Sequence, residues 1–123
     1  MGRAMPKSKL QLYNRVLEVL VVKASGNPAS MEDIDLVEAS LAPLLAELNA
    51  MDVANIGVHP TDRTSEDIED FVFHPLADLL ANEVASPFGG QTLTGDARQV
   101  LINRIRRVFV SGPSYFSQEA QYL

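Results

Sequence analysis

The sequence predicts an all-α domain, a small bundle of about four helices in which the second and third are kinked, followed by an extended C-terminal tail. Three observations predict it. Apolar residues recur at three- and four-residue steps over four separate stretches, as they do in helices with one face turned to a core. Gly, Pro and Asn gather between those stretches, and no stretch alternates apolar and polar residues for long enough to define a sheet. The length, 123 residues, suits one domain, which at this size buries roughly two-thirds of the surface its unfolded chain exposes. The organisation read from the chain is a basic N-terminal extension at residues 1–9, a helical body at 10–110 and a tail at 111–123.

The first helix is expected to run from a Ser8 cap to about Ala24, with Tyr13, Val16, Leu17, Leu20, Val21 and Ala24 on its buried side. Gly26 and Pro28 end it. Ser30 then caps a second helix with Glu32, Asp33 and Asp35 in its first turn. Its apolar seam is Ile34, Val37, Leu41, Leu44, Leu48 and Met51, and Pro43 is expected to bend it from the outer side. Residues 52–63, DVANIGVHPTDR, read as a loop with room for a short extended piece.

The clearest helical pattern lies in residues 64–88. Thr64 or Ser65 is expected to cap it, with Glu66, Asp67, Glu69 and Asp70 at the positive end of the helix dipole. Ile68, Phe71, Val72, Leu76, Leu79, Leu80 and Val84 face the core, and Ala77, Ala81 and Ala85 form a second stripe narrow enough for a neighbouring backbone. Such a helix is packed on two sides. Pro75 predicts a kink or a break, and Pro87 the stop. After a glycine-rich loop, Thr94 or Asp96 starts a last helix to about Val110, with Ala97, Leu101, Ile105, Val108 and Phe109 inward. Its arginines Arg98, Arg104, Arg106 and Arg107 face elsewhere. The tail that follows, SGPSYFSQEAQYL, has no core of its own.

The net charge of −6 is unevenly distributed: residues 1–29 hold five basic side chains against one acid, residues 30–85 one against thirteen, and residues 86–123 four against two. So acidic a middle argues against a general grip on nucleic acid, and the basic ends are candidate partner surfaces. No cysteine is present, which removes disulfides, thiolate metal sites and thiol catalysis. The apolar run at residues 19–22 is bounded by Glu18 and Lys23 and is far too short to span a bilayer, so no membrane partner is expected. Nor does the start read as a myristoylation signal, since position 6 is proline.

Few residues point to chemistry. Asp70, His74 and Asp78 are spaced to share one helical face and could hold a metal or move a proton, but no second cluster completes a ligand set, and a solvated stripe explains them. His59, before Pro60, reads as a loop residue. Gly89-Gly90-Gln91 repeats the tripeptide with which peptide-release factors hydrolyse, without the domain around it, and reads as a chain reversal using positive φ. No phosphate-cradling loop, zinc signature or nucleophile elbow occurs, so neither an enzyme nor a cofactor is expected. Arg98, Arg104, Arg106 and Arg107 could contact phosphate, either DNA in a channel or DNA held by a small regulatory module. Tyr115, Phe116, Tyr122 and Leu123 in a polar tail suit a segment that orders on a partner.

Three pieces in order carry a resemblance: SGNPASMEDIDLVEASLAPLLAELNAMDV, then EDIEDFVFHPLADLLANEVASPFGG, then a basic helix ending in a loose tail. Over roughly residues 10–110 the chain resembles the head-to-tail adaptors, also called connector or head-completion proteins, of tailed bacteriophages. The resemblance implies a small helical structural protein of the virion neck, made in the host cytoplasm. It would join the head, usually as twelve copies, beneath the portal protein, extending the channel for packaged DNA and presenting a platform to a tail or nozzle protein. It also implies that the terminal segment reaches onto the portal, which gives Tyr115, Phe116, Tyr122 and Leu123 that role. The basic start of one subunit, with Lys7, Lys9 and Arg15, would then meet Glu66, Asp67 and Asp70 of the next. The extension at 1–9 and the insert GVHPTDRTSED at 57–67 depart from the usual form.

Overall fold

Ser8 opens the first helix through a reciprocal cap: its hydroxyl accepts from the Gln11 amide at 3.1 Å, and the Gln11 side chain accepts from the Ser8 amide at 2.8 Å. The computed structural model describes residues 5–20 and 30–110. Four α-helices make up the fold: α1 Lys9–Val19, α2 Met31–Ala50, α3 Asp70–Glu83 and α4 Gly95–Val110. Among the described residues there is no strand, so the all-α architecture is as predicted. No helix among them is long and apolar enough to cross a membrane.

Helix α1 ends at Val19, earlier than the periodicity suggests, with Leu20 as its C-terminal cap. Tyr13, Val16 and Leu17 are fully buried, Leu20 is half-buried, and Val21 and Ala24 lie outside the described residues. Helix α2 is capped by the Ser30 hydroxyl, which accepts from Asp33 N at 3.1 Å. It buries Ile34, Val37, Leu41, Leu44 and Leu48 and runs through the exposed Pro43 without a break. Met51 does not continue the seam. It caps the helix at the surface, and Asp52 then turns the chain with φ +57°. The turn brings the Val53 amide back to the Leu48 carbonyl at 2.9 Å and puts Val53 in the core position expected of Met51.

The third helix starts later than predicted. Ile68 pairs with Lys7 as a single antiparallel bridge, N to O at 2.7 and 3.0 Å, and an Ile68 whose backbone is so engaged cannot lie in a helical turn. Helix α3 therefore begins at Asp70 with Glu69 before it and no side-chain cap. Thr64 and Ser65 belong to the loop, where Asp62 accepts from the Thr64 amide and hydroxyl at 2.9 and 2.7 Å. Ile68 is buried all the same.

Helix α3 is the centre of the domain, packed against α1, α2 and α4. Val72, Leu76, Leu79, Leu80 and the small residues Ala77 and Ala81 are buried, which is the two-sided packing the two stripes predict. Phe73 is buried too, and Phe71 half-buried beside Phe109. Pro75 sits inside the helix without breaking it. A 3-10 turn at Ser86–Phe88 and Gly89 at φ +83° reverse the chain, a conformation glycine takes without a Cβ penalty.

Helix α4 keeps most of the predicted stripe: Ile105 is buried and Leu101, Val108 and Phe109 pack half-buried against the core, whereas Ile102 joins them and Ala97 is exposed. The inward side also takes in Arg98, which faces the other helices because two carboxylates meet it there.

Candidate partner-binding surfaces

Most cations of the described residues have carboxylate partners within the same chain. Arg63, from the loop before α3, reaches α2: its Nη2 lies 2.6 Å from Glu38 and 2.8 Å from Asp35, and its Nε donates to Glu38 at 3.0 Å. Tyr13 of α1 donates its hydroxyl to the same Glu38 at 3.4 Å. Arg63 holds the Glu38 carboxyl below its usual range, and burial, followed by the charge of Glu38, pushes the Tyr13 phenol up. Lys9, buried at the start of α1, donates to the His59 carbonyl. The His59 ring nitrogen Nδ1 accepts from the Thr61 and Asp62 amides at 3.1 and 2.8 Å. A cleft of about 540 Å³ lies between these groups, its polar walls bonded to one another.

Arg98 forms the second junction. Its guanidinium donates to both oxygens of Glu47 on α2, at 3.1 and 3.0 Å, and of Glu83 on α3, at 2.9 and 3.1 Å. Those carboxylates push its pKa up. Two forked pairs fix both direction and distance, so Arg98 ties α4 to two helices at once. Beside it, buried Asn82 accepts from the Leu93 amide at 2.6 Å and donates to the Leu93 carbonyl at 3.1 Å, pinning the loop that enters α4. Periodicity alone does not single out Asn82. Its signal is a polar side chain three residues after Leu79, on the buried face of an otherwise apolar helix.

The residues predicted for contacts between subunits are largely engaged within one chain. Lys7 Nζ is 2.7 Å from Asp70 and 5.6 Å from the Phe73 ring centre, Arg15 lies 3.6 Å from Glu18, and Asp67 accepts from the His59 amide at 2.7 Å. Glu66 is exposed. Of the arginines read as phosphate contacts, Arg98 is in the junction above and Arg104 pairs with Asp78 at 2.5 Å, while Arg106 and Arg107 are exposed. The stripe Asp70, His74, Asp78 has both carboxylates on cations and an exposed His74 edge-on to Phe73. Among the described residues, no three His, Cys, Asp or Glu side chains gather closely enough to hold a metal ion. Tyr115, Phe116, Tyr122 and Leu123 lie outside the described residues.

One surface is built differently. A groove of about 640 Å³ runs between residues 52–57, the start of α3 and the end of α4. Val53, Ile56, Phe71 and Phe109 give it an apolar floor, the last two rings with centres 6.3 Å apart. Asp52, Asp67 and Glu69 line it, and among the described residues no lysine or arginine does. Asp67 Oδ1 is buried without a hydrogen-bond partner among the described residues. No backbone N–H or C=O of residues 55–57, which form one wall, or of Val58, which follows them into the other cleft, bonds to the backbone of another described residue.

No protein-family model, curated protein or solved structure matches the chain.

Proposed function

We propose that this chain is a structural head-to-tail adaptor of a tailed bacteriophage, a non-enzymatic protein of the virion neck. It would assemble as a ring of about twelve copies under the portal, extend the channel for packaged DNA and present a platform to the tail. The observation that carries the reading is the ordered resemblance in sequence: the acidic second helix, the segment from Phe71 to the Pro-Phe-Gly-Gly turn, and the basic last helix leading into an aromatic tail. The all-α architecture suits it, with the first of those pieces in α2, the second in α3 and its closing turn, and the third in α4.

A ring gains affinity by repetition, so each subunit can make a weak contact with the portal through Tyr115, Phe116, Tyr122 and Leu123 and still be held. The rival, a regulatory module gripping DNA through α4, is weakened by the placement of its arginines. Salt-dependent affinity for DNA grows with the number of phosphates a protein neutralises. With Arg98 and Arg104 on carboxylates, only Arg106 and Arg107 of the four remain to meet phosphate.

Electron microscopy of purified portal rings, mixed with the full chain or with a version ending at Gly112, tests the proposal. An added ring with the full chain and none with the truncation is the expected outcome. A ring with both would keep the adaptor and remove the tail from portal binding. No ring with either, together with tight salt-sensitive DNA binding, would replace the adaptor by the regulatory module.

A further inference from the structure

We infer that the groove between residues 52–57, the start of α3 and the end of α4 docks an extended segment of a partner protein, one that carries a cationic side chain beside an aliphatic or aromatic one. The inference stands apart from the adaptor reading, because it rests on the chemistry of the groove alone.

Three features specify the occupant. The backbone of residues 55–58 is outside any helix and has no backbone partner for its N–H and C=O groups among the described residues, so an extended chain can pair along it. The floor, with Phe71 and Phe109 half-buried and Ile56 beside them, offers apolar contact to alternate side chains of that strand. Asp52, Asp67 and Glu69 give the walls a negative charge that, among the described residues, no lysine or arginine of the lining balances. By contrast Asp35 and Glu38 meet Arg63, Glu47 and Glu83 meet Arg98, Asp70 meets Lys7 and Asp78 meets Arg104. What sets the groove apart from exposed carboxylates such as Glu32 and Glu66 is the apolar floor beside its charge.

Asp67 sharpens the point. Its Oδ2 accepts from the His59 amide, which fixes the carboxylate, while its Oδ1 is buried with no donor among the described residues. The Oδ1 itself is shut off from solvent, so an incoming ammonium or guanidinium meets the charge of the carboxylate from the groove rather than that oxygen directly. A free backbone edge, an apolar floor and an unpaired negative charge together describe a cationic, apolar, extended peptide. An anionic or helical partner does not answer all three.

The test uses the full, isotope-labelled chain and two capped heptapeptides, Val-Lys-Val-Lys-Val-Lys-Val and the same peptide with glutamate in place of lysine, titrated by NMR. The expected result is saturable shifts of the amides of residues 55–58, Asp67 and Phe109 with the lysine peptide, and none with the glutamate peptide. Asp67→Asn keeps the acceptor for His59 and removes the charge, and it should weaken the lysine peptide about tenfold. Equal binding of both peptides, binding that maps to the acidic first turn of α2, or no shift at millimolar peptide would each overturn the inference. So would displacement of the lysine peptide by a synthetic SGPSYFSQEAQYL, which would assign the groove to the chain's own C-terminal segment.

Discussion

The Arg98 junction and the groove lie at opposite ends of α4, and they treat charge in opposite ways. At Arg98 a cation meets two carboxylates from two helices, all groups partly shielded, and Asn82 next to it satisfies both backbone groups of Leu93. At the far end Phe109 and Val110 share a groove with three carboxylates and a stretch of backbone that have, among the described residues, no cation and no backbone partner. The first arrangement specifies how this chain packs on itself. The second leaves bonding capacity for something else. The acidic middle of the sequence is therefore not one surface: many of its carboxylates are answered inside the fold, and three that meet no cation among the described residues lie together beside an apolar floor.

Substitutions separate the two ends, and the largest effect belongs to the core that both regions share. Leu76, fully buried on the central helix, is expected to lose about 2–5 kcal/mol of stability on Leu76→Ala, measured by urea unfolding. At the closed end, Asn82→Ala strands the Leu93 amide and carbonyl, and a loss of about 1–3 kcal/mol is expected in the same assay. A loss below about 0.5 kcal/mol, the size of an ordinary surface change, would mean that the loop does not depend on Asn82.

Acidification provides a third, smaller probe. Arg63 holds the Glu38 carboxyl below its ordinary value of 4.5, so the folded protein binds that proton less readily than the unfolded chain. The stability it contributes is present above the unfolded value and is lost as pH falls through the lower, folded one. Thermal midpoints followed below pH 4.5 should therefore drop more steeply in the wild type than in Glu38→Gln. Parallel curves would remove Glu38 from the stabilising network. The smallest change is expected at the open end, where Asp67→Asn should leave unfolding stability within about 0.5 kcal/mol while altering what the groove binds.

Much of the fold is legible in the sequence because helices announce themselves by periodicity and caps. Ser8 and Ser30 cap where expected, the seam of α2 is buried from Ile34 to Leu48, and Gly89 makes the reversal at φ +83°. The start of α3 is hidden by a contact distant in sequence, since the backbone pairing of Ile68 with Lys7 overrides the capping signal at Thr64 and Ser65. The side of α4 that Arg98 takes is obscured for a related reason: an arginine reads as outward until two carboxylates from other helices are known to face it. Lys7 and Asp70, expected to meet across subunits, pair within one chain, because that same bridge brings the end of the N-terminal segment to the start of α3. The groove leaves no trace in periodicity, since it is made by three segments meeting in space.

The contrast between a closed end and an open one is tested most directly by amide hydrogen exchange on the full chain alone. The expected result is exchange of residues 55–58 at nearly the rate of an unprotected chain, with Lys7, Leu10, Ile68 and Leu93, whose amides are bonded in the structure, slowed by orders of magnitude. Strong protection at residues 55–58 in the free protein would contradict it, because the edge offered to a partner would then already be paired.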